Sequence, residues 1–443
     1  MNIQLSDHFT YGRLLRFTLP SIVMMIFTSI YGVVDGIFVS NFAGKVPFAA
    51  INLIMPYLMV FGTLGFMVGT GGTALISMTL GMGDKKKANE LFSMLVYVSI
   101  IGGVILTVIS MAFMRPAAIA LGAEGEMLEN CVTYGYIVQL ALTAYILQYA
   151  FQSFCVTAEK PNLSLGMMVA AGICNIVLDA LFVAVFHWGL IGAAVATAIS
   201  QILGAVIPMV YFARPNSSLL RLGKCRFDGN ALLRTCTNGS SELMSNLSMS
   251  LVSMLYNLQL MAYAGEDGIA AYGVIMYVNF IFMAVFIGFV IGCAPIIGYN
   301  HGAENHMELQ NIFRKSLIVL MAFAIAMTGA AELLAAPLSR VFVGYDAGLL
   351  AMTTRGFQIY SLSFLVCGFN IFGSSMFTAL NNGLISAIIS FLRTLVCQIA
   401  AVLILPVFFQ LDGIWWSIVA AELAALVLTV FFIVKYRKRY HYA

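Results

Sequence analysis

Apolar residues in this chain neither alternate nor recur on one helical face. They run on for twenty residues and more, separated by short polar, Gly or Pro breaks. A run of that length suits a helix crossing the hydrocarbon core of a bilayer. The breaks divide the chain into twelve predicted spans, at about 14–40, 47–80, 91–114, 130–156, 164–186, 189–213, 235–263, 268–300, 316–337, 354–379, 385–408 and 412–434. The longest polar stretch, Arg214 to Arg234, falls near the middle and reads as a linker. The predicted organisation is therefore a first half at 1–213, a linker at 214–234 and a second half at 235–443.

The halves resemble each other. A constant shift of 221 residues pairs Gly44 with Gly265, Ala49 with Ala270, Met55 with Met276, Gly81 with Gly302, Pro116 with Pro337, Gly135 with Gly356, Ser153 with Ser374 and Gly192 with Gly413. Six spans is an even number, so both halves enter the membrane from the same side, and the axis relating them lies along the membrane normal. The expected fold is an all-α polytopic membrane protein, with twelve transmembrane helices in two six-helix lobes related by a pseudo-two-fold axis.

Composition removes the soluble alternatives. Of 443 residues, 61% are hydrophobic and 9% charged, against roughly 45–50% and 25% in ordinary soluble proteins. The net charge of +3 resides in loops and reports orientation rather than attraction to nucleic acid. Seventeen of the 22 Lys and Arg fall on the side of both termini, and only Lys45, Arg115, Arg340 and Arg355 on the other. The positive-inside rule then places both termini in the cytoplasm, in a multi-pass cytoplasmic-membrane protein. The eight Cys form no CxxC and meet no His cluster, so neither a disulfide framework nor a zinc site is indicated. The first run is too long for a signal peptide and has no A-x-A cleavage site.

A charge in the middle of a span costs about 2.5–3.5 kcal/mol on insertion scales, so each one asks for a reason. The clear cases are Asp35, Asp179, Arg393 and Glu422, with Glu242 and Glu332 nearer helix ends. Asn175 lies four residues before Asp179, on the same helix face. Helical rise puts Asp35 roughly 9 Å and Asp179 roughly 12 Å below the outer surface, with Thr197 at a similar level. Two carboxylates, an amide and a hydroxyl at one depth are hard oxygen ligands for a small cation such as Na⁺. They suit a shared proton equally well, because two adjacent carboxylate charges repel strongly in low dielectric. The shift of 221 pairs Asp35 with Tyr256 and Asp179 with Ala400, so the acidic pair is not duplicated. Arg393 and Glu422 lie at depths that allow them to pair, with contact between Arg393 and cargo as the alternative. Tyr31, Tyr145, Gln148, Tyr149, Gln152, Met254, Tyr256, Met276 and Tyr277 offer aromatic and soft surface to an organic cation and are candidate cavity wall. A bend at Pro20 would couple the charge of Asp35 to cavity shape.

Three stretches carry a family resemblance: PSIVMMIFTSIYGVVDGIFVSNFAG (Pro20 to Gly44), NIVLDALFV (Asn175 to Val183) and GLIGAAVATAISQ (Gly189 to Gln201). With them the chain resembles the prokaryotic multidrug and toxic compound extrusion (MATE) transporters over nearly its whole length. Members of that family exchange Na⁺ or H⁺ for organic, often cationic, compounds. In the branch resembling the DNA-damage-inducible transporters, the coupling site is an Asp on the first helix, an Asn and an Asp on the fifth and a Thr on the sixth. By motif these fall on Asp35, Asn175, Asp179 and Thr197. The other large branch uses acids in the seventh and tenth helices; here the tenth has none, and Glu242 lies near the start of the seventh. The fourth helix has Gln152 and Ser153 where the resemblance leads one to expect an Asn.

The resulting expectation is a secondary antiporter, not an enzyme. It takes small organic substrates in the lipid bilayer, couples to H⁺ or Na⁺, and needs neither a cofactor nor an obligatory protein partner. The rival is a flippase for lipids or lipid-linked precursors, but a phosphate headgroup wants several basic residues in the cavity and only Arg393 is available. An intramembrane transferase is disfavoured because one Asp in NIVLD cannot hold the metals that bridge a diphosphate. No GxSxG, HExxH or ATP-binding P-loop occurs either.

Overall fold

The computed structural model describes residues 3–38, 42 and 45–443. Gly44 of the repeat and positions 39–40 of the first predicted span lie outside the described residues. Within them the chain forms helices α1 (Tyr11–Phe38), α2 (Lys45–Gly81), α3 (Lys85–Ala112), α4 (Met114–Ala120), α5 (Gly125–Leu140), α6 (Leu142–Thr157), α7 (Pro161–Asp179), α8 (Gly189–Ala213), α9 (Gly229–Gly302), α10 (His306–Val343), α11 (Ala347–Ser361), α12 (Phe364–Ala379), α13 (Gly383–Phe391) and α14 (Cys397–Tyr440). Wider π-helical turns follow α7 at Ala180–Val185 and join α13 to α14 at Leu392–Val396.

Two of these helical stretches are too long for one crossing. The 74 residues of α9 would extend about 110 Å as a straight rod, and α13 to α14 run for 58 residues. Each is folded back on itself at one residue with positive φ, Gly265 (φ 63°) in α9 and Gln410 (φ 51°) in α14. Counting each as two spans, and counting the bent pairs α5–α6 (55°) and α11–α12 (48°) as one span apiece, gives the twelve that run lengths predicted.

The boundaries differ in one place that matters. The linker ends at Asp228, not at 234, because the Asp228 carboxylate accepts from the backbone N–H groups of Asn230 and Ala231 and starts α9 early. Glu242 therefore lies 13 residues into its helix rather than near its beginning. The bend expected at Pro20 is not visible as a break: α1 runs through it from Tyr11 to Phe38.

Two apolar clusters fill the first half and one larger cluster fills the second. The second-half core also takes in Leu5, Phe9, Leu14, Phe17 and Ile22 from the start of the chain. The halves meet closely where α2 crosses α9. A Cβ on Gly71 would stand 2.0 Å from the Thr235 carbonyl oxygen, and one on Gly239 2.0 Å from that of Met67. Gly81 and Gly302 make the same reciprocal approach to Tyr299 and Met78. Only glycine permits backbones this near. Gly81 and Gly302 are partners under the 221 shift, so their contact lies on the axis. The same shift carries Gly71 to Gly292, whose Cβ would meet Thr18, and carries Thr18 to Gly239. All these contacts lie toward the side that bears the basic loops, and Asn381 adds a polar one by donating to the Ala74 carbonyl at 3.0 Å.

Candidate functional site

Packing of α1 on α7 builds the site. Gly172 leaves room for the Phe27 ring, which a Cβ there would meet at 2.4 Å, and for Tyr31 beside it. The two helices run in the same direction, so about two turns further on each the chain brings Asp35 beside Asp179. Past Asp179 the π-helical turn and the positive-φ pair His187 and Gly189 reverse the chain. α8 then returns along α7, with Gly192 lying against the Phe182 backbone, and carries Thr197 back toward the acids.

Asp179 is fully buried, and no N–H or O–H of the described residues reaches either of its carboxylate oxygens; the same holds for Asp35 Oδ1. Nor does either carboxylate belong to an ion pair among the described residues. A buried carboxylate oxygen without a donor is costly, and these oxygens have none among the described residues. Asn175 is buried one turn below Asp179. Tyr134, on α5, lies against Thr197 and within electrostatic range of both acids. The four residues singled out in the sequence are thus two adjacent carboxyls, an amide on the same helix face as Asp179 and a hydroxyl that lies against Tyr134. The sequence reading missed Tyr134, which lies in the middle of α5 and is buried there.

The candidate wall residues separate. Tyr31 lies beside Asp35 and Tyr149, the Tyr145 and Tyr149 ring centroids are 4.7 Å apart, and Phe66 is tilted against Tyr149 at 4.1 Å. Gln148 turns into the first-half core, where its amide donates to Met168 Sδ at 3.3 Å and packs on Gly204. Gln152 donates to Met25 Sδ at 3.2 Å and is likewise buried. In the second half Tyr256 stacks on Tyr272 at 5.2 Å and donates to Gln398 Oε1 at 3.1 Å. Met254 is exposed, Met276 half-buried, and Tyr277 lies parallel to Phe342 at 6.5 Å. Arg393 and Glu422 do pair: Nε reaches both carboxylate oxygens at 3.0 Å and Nη2 reaches Oε1 at 2.9 Å. Asn370 Nδ2 completes the carboxylate's shell at 2.7 Å.

A MatE family model matches residues 20–181 and matches again at 243–404. The chain belongs to the MatE family. Each MatE match covers one half, so the 221-residue repeat is a repeat of the family's own unit. Asp35, Asn175 and Asp179 lie in the first MatE match and Arg393 in the second, while Thr197 and Glu422 fall outside both. Among curated MatE relatives, the multidrug export protein MepA of Staphylococcus haemolyticus (strain JCSC1435) is 27% identical over 432 residues, covering 97% of this chain and 94% of that protein. MepA of Staphylococcus aureus (strain NCTC 8325 / PS 47) is 25% identical, with 93% and 91% covered. A solved outward-facing multidrug resistance MATE transporter of the MOP superfamily superposes with a TM-score of 0.92 at 22% identity, over 99% of each chain. That last likeness establishes the fold.

Proposed function

We propose that this MatE transporter exports organic, cationic and amphipathic compounds in exchange for H⁺ or Na⁺, by alternating access between its two six-helix lobes. What carries the reading is the pair Asp35 and Asp179: two adjacent carboxyls, Asp179 fully buried with no donor to either oxygen and Asp35 with none to Oδ1, and no countercharge among the described residues, in a chain whose relatives are multidrug export proteins. Protonation would satisfy the pair with a shared hydrogen bond. A Na⁺ ion would be held by the oxygens of Asp35 and Asp179 with those of Asn175 and Thr197, all hard donors of the kind it prefers. Either ion drives exchange only through different affinity for the two conformations, and closure of α1 on α7 around Asp179 supplies that difference. The aromatic group Tyr31, Tyr145 and Tyr149 offers π faces to a cationic cargo next to the acids, so cargo and ion compete for one negative region.

The membrane is the cytoplasmic one, with both termini on its inner side, as the loop charges require. The lipid-flippase alternative loses its one basic anchor, because the Arg393 guanidinium is engaged by Glu422.

The test is efflux of a fluorescent organic cation from pump-deficient cells, comparing wild type with Asp179→Asn at matched membrane levels, then repeating in proteoliposomes under an imposed H⁺ or Na⁺ gradient. Loss of gradient-driven efflux in a folded, inserted variant is expected. Full efflux by Asp179→Asn overturns the mechanism.

A further inference from the structure

Residues 3–10 precede α1 of the first half, yet their two large apolar side chains, Leu5 and Phe9, are fully buried in the core of the second half. Phe9 packs edge-on against Phe17 at 6.1 Å. The backbone of the segment is not helical, so its hydrogen bonds must be found elsewhere, and those of Phe9 are found on α10. Glu308, buried at the start of α10, accepts from the Phe9 N–H at 2.9 Å and meets His8 Nδ1 at 2.6 Å. The Phe9 carbonyl accepts from Lys315 Nζ at 2.6 Å and from Asn311 Nδ2 at 3.0 Å. At the other end, the Leu5 N–H donates to Glu159 of the first half at 2.6 Å.

The linker before α9 mirrors this arrangement. Leu220 is fully buried in the first-half core, Arg221 N–H donates to Asn89 Oδ1 at 2.6 Å, and Gly223 N–H donates to Ser93 Oγ at 3.0 Å, both on α3. The first helix of each half is therefore preceded by a segment anchored on the third span of the opposite half. The linker is held there by its covalent continuity with α8. Residues 3–10 are held on the second half by these contacts, with Asn300 Nδ2 on α9 donating to the Leu5 carbonyl at 3.4 Å, all of them side-chain bonds and packing that can break without unfolding a span.

We propose that residues 3–10 are a releasable strap that holds the halves together on the basic side, and that undocking from Glu308 is a required step in opening that side. The strap spans the crossing already closed by Gly71, Gly239, Gly81 and Gly302, and Glu308 is its hub. Removing that one carboxylate strands the Phe9 N–H and breaks the His8 contact without touching the acidic pair. The proposal rests on the transport reading only in that moving cargo requires the halves to part.

Cys236 reports the parting directly, since it follows Thr235, whose carbonyl faces Gly71. In full-length protein reconstituted in liposomes, with Cys236 kept as the single cysteine, Glu308→Ala is expected to speed maleimide labelling from the basic side about tenfold, the effect of losing a charge-assisted hydrogen-bond hub. In a second, cysteine-free background, His8→Cys with Glu308→Cys cross-links the strap to α10. Oxidation is expected to stop cargo transport and reductant to restore it, which a folding defect would not do. Unchanged Cys236 labelling in folded Glu308→Ala, or full transport by the cross-linked protein, overturns the proposal. The labelling arm reads the strap even if the ion-exchange reading of the acids fails.

Discussion

A charge within the bilayer is defined by what faces it, and the two halves answer differently. Arg393 and Glu422 are 14% and 4% exposed and neutralise each other. Arg393→Gln is therefore expected to destabilise the protein by about 3–5 kcal/mol, by stranding the carboxylate. The double variant with Glu422→Gln should recover most of that loss, as thermal unfolding in detergent would show; equal loss in both variants would refute the pairing argument. Glu159, outside the spans in the turn between α6 and α7, gives a pH-dependent case. Burial pushes its carboxyl above the usual Glu range, Asp7 adds to the rise, and the Leu5 N–H, Lys160 and Lys85 oppose it. A raised folded-state value means its contribution to stability is complete in acid and is lost as pH rises through that value. Glu159→Gln should then match wild type in acid and exceed it at neutral pH; the opposite order would reverse the sign argued here. The Arg393 and Glu422 pairing was legible from sequence because helical rise alone sets depth. Tyr134 was not, because a lone Tyr within an apolar run does not show which helix its hydroxyl will face.

At the scale of elements, the spans were legible as apolar runs and the turns folding α9 and α14 as the breaks between them, whereas the residue that takes the positive φ was not. Gln410 falls, with Asp412 and Gly413, at the break predicted between 408 and 412, and it alone takes the positive φ that divides α14. Gly265, in the equivalent break of α9, carries its own signal, being free of the Cβ that makes φ above zero unfavourable. Replacing Gln410 with Gly is expected to raise stability by a few tenths to about 1 kcal/mol by relieving that conformation, measurable as a higher unfolding temperature; no change or a fall would remove strain from the account. The α2–α9 crossing makes a stronger demand. Gly71→Leu places side-chain atoms where the Thr235 carbonyl now sits, so the helices must separate at a cost of about 1–3 kcal/mol. Cys236 labelling from the basic side should rise accordingly. Labelling as slow as in wild type would show that the crossing yields elsewhere.

Over the whole molecule the repeat was visible in residue identities before any coordinate, because backbone contacts such as Gly81 with Gly302 tolerate no side chain on either copy. What the repeat could not convey is the crossed anchoring of residues 3–10 and 216–228, where few residues match across the shift and the likeness resides in which span each segment grips. Nor did it disclose that Gln148 and Gln152 face the core, since a span's polar positions read alike from either side. The halves share a frame and differ in duty: the first holds an uncompensated acidic pair, and the second answers at Tyr256 and Ala400 with no acid at all.

Under the proposed ion exchange, that asymmetry would set a ceiling on the work the protein does. With two carboxyls and no second set, a proton-driven cycle can carry at most two protons for each cargo molecule. One proton traded for one monovalent cation moves no net charge and draws nothing from the membrane voltage. Two protons for one such cation move a single net charge, worth about 2.3 kcal/mol per 100 mV, or somewhat under two decades of concentration ratio. Under the proposed proton exchange, the steepest cargo gradient held against a given voltage would thus follow from a repeat that matches the helices without matching the acids.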